Sequence, residues 1–133
     1  MTALLETSLA TGDLDRSRRF FEDALGLDPE RIGDTSVSYE AAGCELKLQG
    51  DFPQEVLESF NLPAPPADGR GGGATFVLAI DEPLASIHER VAAAAEALGC
   101  AALIEPRDVP WGVRTFLARS PEGYVFEVRG SDS

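Results

Sequence analysis

The feature of this sequence that most constrains its fold is an internal repeat. The segment Leu9–Ser17 recurs as Leu78–Ser86, 69 positions later, with Leu, Ala and Ser in register. Each copy has the pattern of a strand that ends in acidic residues and leads into a helix. Both helices close on Ala-Leu-Gly, at 24–26 and again at 97–99. Because self-similarity at a fixed spacing indicates duplicated units, the chain is predicted to contain two equivalent modules.

The length of 133 residues fits a single domain that contains both copies. Module one covers residues 1–50, a linker covers 51–73 and module two covers 74–133. A module of this size buries too little surface to be stable alone, so we expect the halves to share a sheet or a core. Prolines and glycines mark the linker, which either closes over a site as a lid or only tethers the modules.

The hydrophobic pattern predicts the same order of elements, β-α-β-β-β, in each module, and therefore an α+β fold. Asp13 is placed to cap the start of the first helix, and Gly26 suits the left-handed position after its end. A short helix is predicted inside the linker at 54–60. The predicted strands are 4–11, 31–32, 36–41, 44–49, 74–80, 101–104, 113–119 and 124–129, and the main helices are 13–25 and 83–98.

The chain is acidic, with a formal net charge of -12. Nucleic acid is excluded as a partner because phosphate binding requires a positive surface. No apolar run approaches the roughly 20 residues of a membrane span and no signal pattern is present, so we expect a cytoplasmic protein without a membrane partner. Cys44 and Cys100 lack metal-type spacing and are expected to be reduced thiols. The acidic field either attracts a cationic ligand or serves solubility alone.

Alternation along the strands separates an apolar face from a more polar one, and Glu6, Glu45 and Glu127 all fall on the polar face. The repeat makes Thr75 the equivalent of Glu6. When the segment 43–47 is matched to 125–129, Glu127 becomes the equivalent of Glu45 at an offset of 82. Equivalent positions of two copies meet around the axis that relates them. We therefore predict a cluster of Glu6, Glu45, Thr75 and Glu127.

Three segments make the chain resemble the vicinal oxygen chelate superfamily, which includes glyoxalases, bleomycin resistance proteins and extradiol dioxygenases. They are LLETSLATGDLDRSRRFFEDALGL at the start, GCELKL in the middle and PWGVRTFLARSPEGYVFEVRG at the end. The resemblance implies two βαβββ modules that form a cupped eight-stranded mixed sheet around a pocket, with helices on the outer face, commonly in a homodimer. Where a metal is used, the resemblance implies ligands from the first and last strands of each module.

Those strands carry the four clustered residues here, so the histidine usual in the first strand is replaced by Glu6. The one histidine, His88, falls within a predicted helix. Zn, Ni and Fe usually recruit imidazole, whereas a carboxylate set of Glu6, Glu45 and Glu127 suits Mg, Mn or Ca. Three alternatives stay open. They are a divalent metal, a cationic or polar organic ligand, and ion pairs of the glutamates with Lys47, Arg114 or Arg129.

Further residues are expected to line the cup. Trp111 lies in the loop before a late strand, where an indole either stacks on a planar ligand, contacts a cation or merely packs the loop. The complete set of predicted ligand contacts is Glu6, Glu45, Thr75, Trp111, Arg114, Tyr39 and Phe60.

The function we expect is that of a binding protein of the bleomycin-resistance type, which sequesters a cationic or aromatic small molecule without a metal or other cofactor. The alternative is an enzyme of the same superfamily, a lyase, isomerase or dioxygenase. Such an enzyme uses a divalent metal, Mg, Mn or Ca, or a glutamate such as Glu127 as general base. A third hypothesis is an interaction module without a ligand, whose cup is filled by its own side chains.

Overall fold

A computed structural model describes residues 1–133. Helix α1 is Leu14–Arg19, α2 is Gln54–Ser59 and α3 is Leu84–Leu98. None of these helices has the length and apolar character needed to cross a membrane. The nine strands are β1 (Glu6–Thr11), β2 (Pro29–Ile32), β3 (Ser36–Ala41), β4 (Cys44–Gly50), β5 (Thr75–Ala79), β6 (Ala101–Ala102), β7 (Arg107–Asp108), β8 (Arg114–Arg119) and β9 (Val125–Arg129).

The strands form two mixed sheets, one in each module. In the first sheet the order is β1-β4-β3-β2, and β1 runs parallel to β4. In the second the order is β5-β9-β8-β6, β5 runs parallel to β9, and the short β7 pairs with β8. The α+β class and the two βαβββ modules are confirmed. The nine strands form sheets of four and five rather than one continuous eight-stranded sheet, because β1 and β5 are edge strands that pair only within their own modules.

The first helix starts and ends where the sequence predicts. The Asp13 carboxylate accepts a hydrogen bond from the backbone N–H of Arg16 at 3.0 Å, which caps the helix. After Arg19 the helix continues as a π-helical turn, Phe20–Ala24. Gly26 then adopts a φ of 82°, a left-handed conformation that carries no steric penalty for glycine. Gly99 ends α3 in the same way, so the two copies stop their helices alike.

Both modules contribute to one hydrophobic core of 19 buried residues. Phe21 of module one stacks on Tyr39 with ring centroids 5.6 Å apart and meets Phe126 of module two edge-on at 5.3 Å. Phe20 and Phe76 also contact Phe126, at 6.2 and 5.5 Å. Aromatic side chains bury large apolar areas, and they therefore dominate the energetics of such a core. The modules are joined by this shared core and not by strand pairing.

Arg70, whose residue is only 5% exposed, joins the two ends of the linker and connects them to module two. The guanidinium donates two hydrogen bonds to the Asp51 carboxylate, at 2.7 and 2.8 Å, and one to the Pro66 carbonyl at 2.7 Å. Glu122 of module two lies 3.4 Å from Arg70 and accepts a hydrogen bond from Thr11 of module one at 2.8 Å. These contacts favour a tether over a lid for this segment.

Candidate functional site

The polar face of the first sheet lines an open cavity with a volume of about 690 Å³. Strands β1 to β4 and the connection between β2 and β3 form its walls, so module one alone builds it. Ile32 is the one hydrophobic residue among the nine that line it. The lining residues are Glu6, Glu30, Arg31, Ile32, Gly33, Ser36, Ser38, Glu45 and Lys47.

Strand register explains why these side chains meet. Directly opposed residues of neighbouring strands point to the same face of a sheet. Lys47 on β4 lies opposite Ser38 on β3, and Ser38 in turn lies opposite Arg31 on β2. Glu45, two residues before Lys47, lies beside Glu6 of β1. The side chains of Arg31, Ser38 and Lys47 therefore form one row across the sheet. The carboxylates of Glu6 and Glu45 form a second row, roughly 7 Å from the first along β4.

The three carboxylates of the cavity differ in their partners. Arg31 Nη2 lies 2.9 Å from Glu45 Oε1, whereas Glu6 and Glu30 form no ion pair. The nearby Ser38 hydroxyl, together with the Arg31 guanidinium, holds the pKa of Glu45 below its ordinary value. A cation that enters the cavity meets one carboxylate that is already paired, Glu45, and two that form no ion pair, Glu6 and Glu30.

Lys47 and Ser38 are also without a partner. Lys47 is the only lysine of the chain and forms no ion pair, whereas Arg31 pairs with Glu45. Ser38 is 5% exposed, and its Oγ has no hydrogen-bond partner. The hydroxyl lies near enough to Glu45 to lower the pKa of that carboxyl without reaching hydrogen-bond geometry. Buried polar atoms without a partner are rare in folded proteins, so this one calls for an explanation.

Glu127, the corresponding carboxylate of module two, lies in a closed environment. Its residue is 3% exposed. The indole N–H of Trp111 donates a hydrogen bond to Oε1 at 2.7 Å, and Arg129 Nε donates one to Oε2 at 3.0 Å. The alternative in which Arg129 pairs with a glutamate is therefore present in the structure for Glu127. Because Glu127 is almost fully buried and each of its carboxylate oxygens already accepts a hydrogen bond, it offers a ligand little surface in this conformation.

The register also corrects how the two modules are matched. Glu6 lies beside Glu45 in the first sheet, and Thr75, which corresponds to Glu6, lies beside Val125 in the second. Val125 is therefore the equivalent of Glu45, at an offset of 80. The offset of 82 is wrong by two residues, which is one step along the same face of a strand.

The turns before the last strands support the same match. Gly43 and Gly123, which are 80 residues apart, both have positive φ, 80° and 103°. With this offset the equivalent of Glu127 is Lys47 and not Glu45. The two modules thus place opposite charges at the same point of their sheets. The duplication has kept the scaffold, while the side chains on the polar face have diverged.

The four clustered positions predicted from the repeat do not meet within one chain. Glu6 and Glu45 line the cavity, whereas Thr75 and Glu127 lie on the second sheet and do not. No group of three or more His, Cys, Asp or Glu side chains is arranged to hold a metal ion. His88 lies on α3, half-buried and edge-on to Phe116 at 5.2 Å. The residues of a single chain therefore do not fit the divalent metal that the resemblance implies for some members.

The remaining predicted contacts also lie outside the cavity. Tyr39 is buried in the core, where its hydroxyl donates a hydrogen bond to Glu22 at 2.8 Å. Arg114, Phe60 and Thr75 are exposed at the ends of β8, α2 and β5. Trp111 covers Glu127. Of the seven predicted ligand contacts, the structure brings Glu6 and Glu45 together and places the other five elsewhere.

Several cavity residues were not assigned to the site from the sequence. The alternation along β3 carries part of the signal, because Ser36 and Ser38 alternate with the buried Val37 and Tyr39. Glu30 and Arg31 lie on β2, whose short pattern gives no clear face. Only the pairing of β2 with β3 brings Arg31 over the polar face of the sheet.

Comparison with known proteins agrees with this architecture. The family model for the Glyoxalase/Bleomycin resistance protein/Dioxygenase superfamily matches residues 3–128. The chain belongs to this superfamily. No match is found among curated proteins.

Solved structures of the same fold cover almost the whole chain. A glyoxalase-related enzyme from Fulvimarina pelagi is 20% identical with a TM-score of 0.75, over 98% of this chain and 88% of that one. A glyoxalase/bleomycin resistance protein/dioxygenase from Nocardioides is 23% identical with a TM-score of 0.69, over 98% and 83%. A lactoylglutathione lyase from Agrobacterium tumefaciens is 23% identical with a TM-score of 0.63, over 99% and 96%. At these identities the likeness establishes the fold.

Proposed function

We propose that this protein binds a small organic cation in the cavity of module one and that it does so without a metal. The observation that carries the proposal is the cavity itself, about 690 Å³ in volume, with Glu6 and Glu45 side by side on its wall. Binding sites for small molecules typically have volumes of roughly 300–1,000 Å³. The net charge of -12 adds a long-range field that favours the approach of cations.

The lining of the cavity favours charge over stacking as the basis of recognition. None of its nine residues is aromatic. Trp111, Tyr39 and Phe60, the aromatic residues expected to hold a planar ligand, lie outside it. The lining therefore supports a cationic ligand better than an aromatic one. A ligand that is both aromatic and cationic belongs to both of the expected classes.

The arrangement of the glutamates favours binding over general-base catalysis. A carboxylate that abstracts protons near neutral pH needs a raised pKa. The pKa of Glu45 is instead lowered by Ser38 and Arg31. Glu127 has both oxygens engaged by Trp111 and Arg129. An enzymatic role that uses either residue as a base has no supporting contact here.

Titration of protein treated with a metal chelator tests this function. Hexylamine and benzylamine, both ammonium ions at neutral pH, are expected to bind, and neutral hexanol is expected not to. Glu6→Gln should weaken the binding of hexylamine about tenfold, because a charged hydrogen bond contributes on that order. Glu89→Gln, an exposed site on α3, is the matched control and should leave affinity unchanged.

Calorimetry gives the affinity in each case. Equal binding of hexanol and hexylamine would show that charge plays no part. Binding that appears only after Mg, Mn or Ca is added would favour the metal-dependent alternative.

We also propose that the protein forms a homodimer through the first strands of its modules. Both β1 and β5 leave one edge without a partner strand. Leu4 and Leu5 next to β1 are 69% and 77% exposed, and Val77 on β5 is 53% exposed. Exposed strand edges with apolar side chains are normally covered. A second copy of the chain supplies the same two edges and is the partner we expect.

Light scattering coupled to gel filtration tests the dimer. The native protein is expected to elute with twice the mass of the chain, and Leu5→Asp together with Val77→Asp should give the monomer. Leu103→Asp, at a site 41% exposed and away from both edges, is the control and should remain dimeric. A native protein that stays monomeric at micromolar concentrations would contradict the proposal.

The two free thiols, Cys44 and Cys100, support a reducing compartment, and we propose the cytoplasm. Burial raises the pKa of the Cys100 thiol, so this residue is expected to be unreactive.

A further inference from the structure

We propose that the cavity of module one recognises a zwitterion, whose ammonium group lies against Glu6 and Glu45 and whose anionic oxygen group is held by Lys47 and Ser38. This inference rests on the proposed function, since it assigns a second contact to the same ligand. The class of ligand is an amino acid or an amine with a carboxylate or a phosphonate at some distance from the nitrogen.

The anionic half of the site stands on two groups that form no ion pair and no hydrogen bond of ordinary geometry within the chain. Lys47 forms no ion pair, and the buried Ser38 Oγ has no hydrogen-bond partner. The two residues lie directly opposite each other on β4 and β3, and both line the cavity. An ammonium and a hydroxyl that converge in this way are the donors that an oxyanion requires.

The cationic half stands on Glu6, which is free, and on Glu45, which Arg31 holds in place. The cavity also contains Glu30, a third carboxylate. A simple cation would contact the carboxylates and leave Lys47 without a partner. A zwitterion satisfies both ends at once.

Module two provides an internal comparison. The equivalent of Lys47 is Glu127, and that charge is satisfied within the chain by Arg129 and Trp111. Its neighbours in the register are Val77 and Leu117, in the places that Ser8 and Ser38 occupy in module one. In module two the charge at this position is therefore paired within the chain, whereas in module one the charge of Lys47 is not.

The spacing of the two halves selects the length of the ligand. Glu45 and Lys47 are two residues apart on one strand, so their rows are separated by roughly 7 Å. An extended ligand whose two charges lie several bonds apart fits this spacing better than an α-amino acid, in which the charges are adjacent.

The experiment compares 6-aminohexanoate with hexylamine, hexanoate and 5-aminopentylphosphonate, titrated into the full chain and followed by calorimetry. We expect 6-aminohexanoate to bind about tenfold more tightly than either singly charged analogue, because each loses one charged contact. The phosphonate arm distinguishes a carboxylate site from a phosphate site. Lys47→Met should reduce the affinity for 6-aminohexanoate to that for hexylamine, and Lys47→Arg should restore most of it. Arg107→Met, an exposed charge outside the cavity, is the control.

A second measurement needs no variant. Because Lys47 is the only lysine, its amine and the N-terminal amine are the two amines that a mild acetylating reagent converts to amides, and the latter serves as an internal reference. Saturating 6-aminohexanoate is expected to slow the acetylation of Lys47 at least about fivefold while hexylamine does not, because only the former contacts the ε-ammonium.

The outcomes separate this inference from the proposed function. If hexylamine binds as tightly as 6-aminohexanoate, or if Lys47 is not protected, the zwitterion is wrong and the cation site stands. If hexanoate alone binds, both the zwitterion and the cation site are wrong. If none of the four probes binds, both are overturned as well.

Discussion

Replacing Arg70 with methionine is expected to lower the free energy of unfolding by about 3–5 kcal/mol, because removal of one partner leaves buried charges uncompensated. The side chain of Arg70 is 6% exposed, and those of its partners Asp51 and Glu122 are 33% and 7% exposed. Denaturant unfolding followed by circular dichroism measures the change. Arg119→Met removes an exposed arginine that forms no ion pair, and it should cost less than about 0.5 kcal/mol.

The pH dependence of the free energy of unfolding provides a second test of the contact between Arg70 and Asp51. The hydrogen bonds from Arg70 hold the pKa of Asp51 below its ordinary value of 3.8. A carboxyl whose pKa is lowered by folding stabilises the protein fully above its unfolded pKa and loses that contribution as the pH falls through the folded value. The difference between native protein and Arg70→Met is therefore expected to be constant above about pH 5 and to narrow below about pH 4.

The result also distinguishes the two roles considered for the linker. A lid that opens and closes is drawn from the least stable parts of a protein, and loss of its latch leaves global unfolding almost unchanged. A tether that joins Asp51, Glu122 and through it Thr11 takes part in global unfolding. A change below about 1 kcal/mol for Arg70→Met would therefore contradict the tether.

The local elements of this fold are largely predictable from the sequence. Strand β3 is predicted at its observed bounds, and β4 and α3 within one residue, because alternating or helical patterns of apolar residues run unbroken through them. Asp13 and Gly26 mark the ends of the first helix through capping interactions that depend only on neighbours in the chain. The short strand β7 is missed because two residues carry no periodicity.

The candidate site is less predictable, because it depends on which residues of neighbouring strands are paired. The face of the sheet to which a side chain points follows from the sequence pattern, but the pairing does not. A shift of two residues keeps every side chain on its face and still changes its neighbours. Matching Glu45 to Glu127 by residue type gives such a shift, whereas the turn glycines Gly43 and Gly123 give the offset of 80 that the register confirms. Residue type is the weaker guide here because function diverges between the copies, while a turn that needs positive φ retains its glycine.

Contacts between distant segments are out of reach for the same physical reason. Arg70 and Asp51 are separated by 19 positions in the chain, and Trp111 and Glu127 by 16. No local pattern encodes either pair. The sequence therefore leaves three roles for Trp111 open, stacking on a ligand, contact with a cation and packing of the loop, and the structure adds a hydrogen bond to Glu127 that none of the three contains.

Phe126→Ala is the second substitution with a large expected effect, a loss of about 3–5 kcal/mol in the free energy of unfolding. Phe126 is 0% exposed and contacts Phe20 and Phe21 of module one as well as Phe76 of its own module. The cavity left by its ring thus lies where the modules meet. Phe60→Ala, at a residue that is 71% exposed, is the matched control and should change stability by less than about 0.5 kcal/mol.

The way in which Phe126→Ala unfolds is as informative as how much stability it loses. The single tryptophan, Trp111, reports on module two, and far-ultraviolet circular dichroism reports on both modules. Since one core of 19 residues spans the two halves, the two signals are expected to change together in the native protein and in the variant. Fluorescence that changes at a lower denaturant concentration than circular dichroism would show that module one remains folded alone. That outcome would contradict the shared core, because a βαβββ unit of about 50 residues has little apolar surface to bury without its copy.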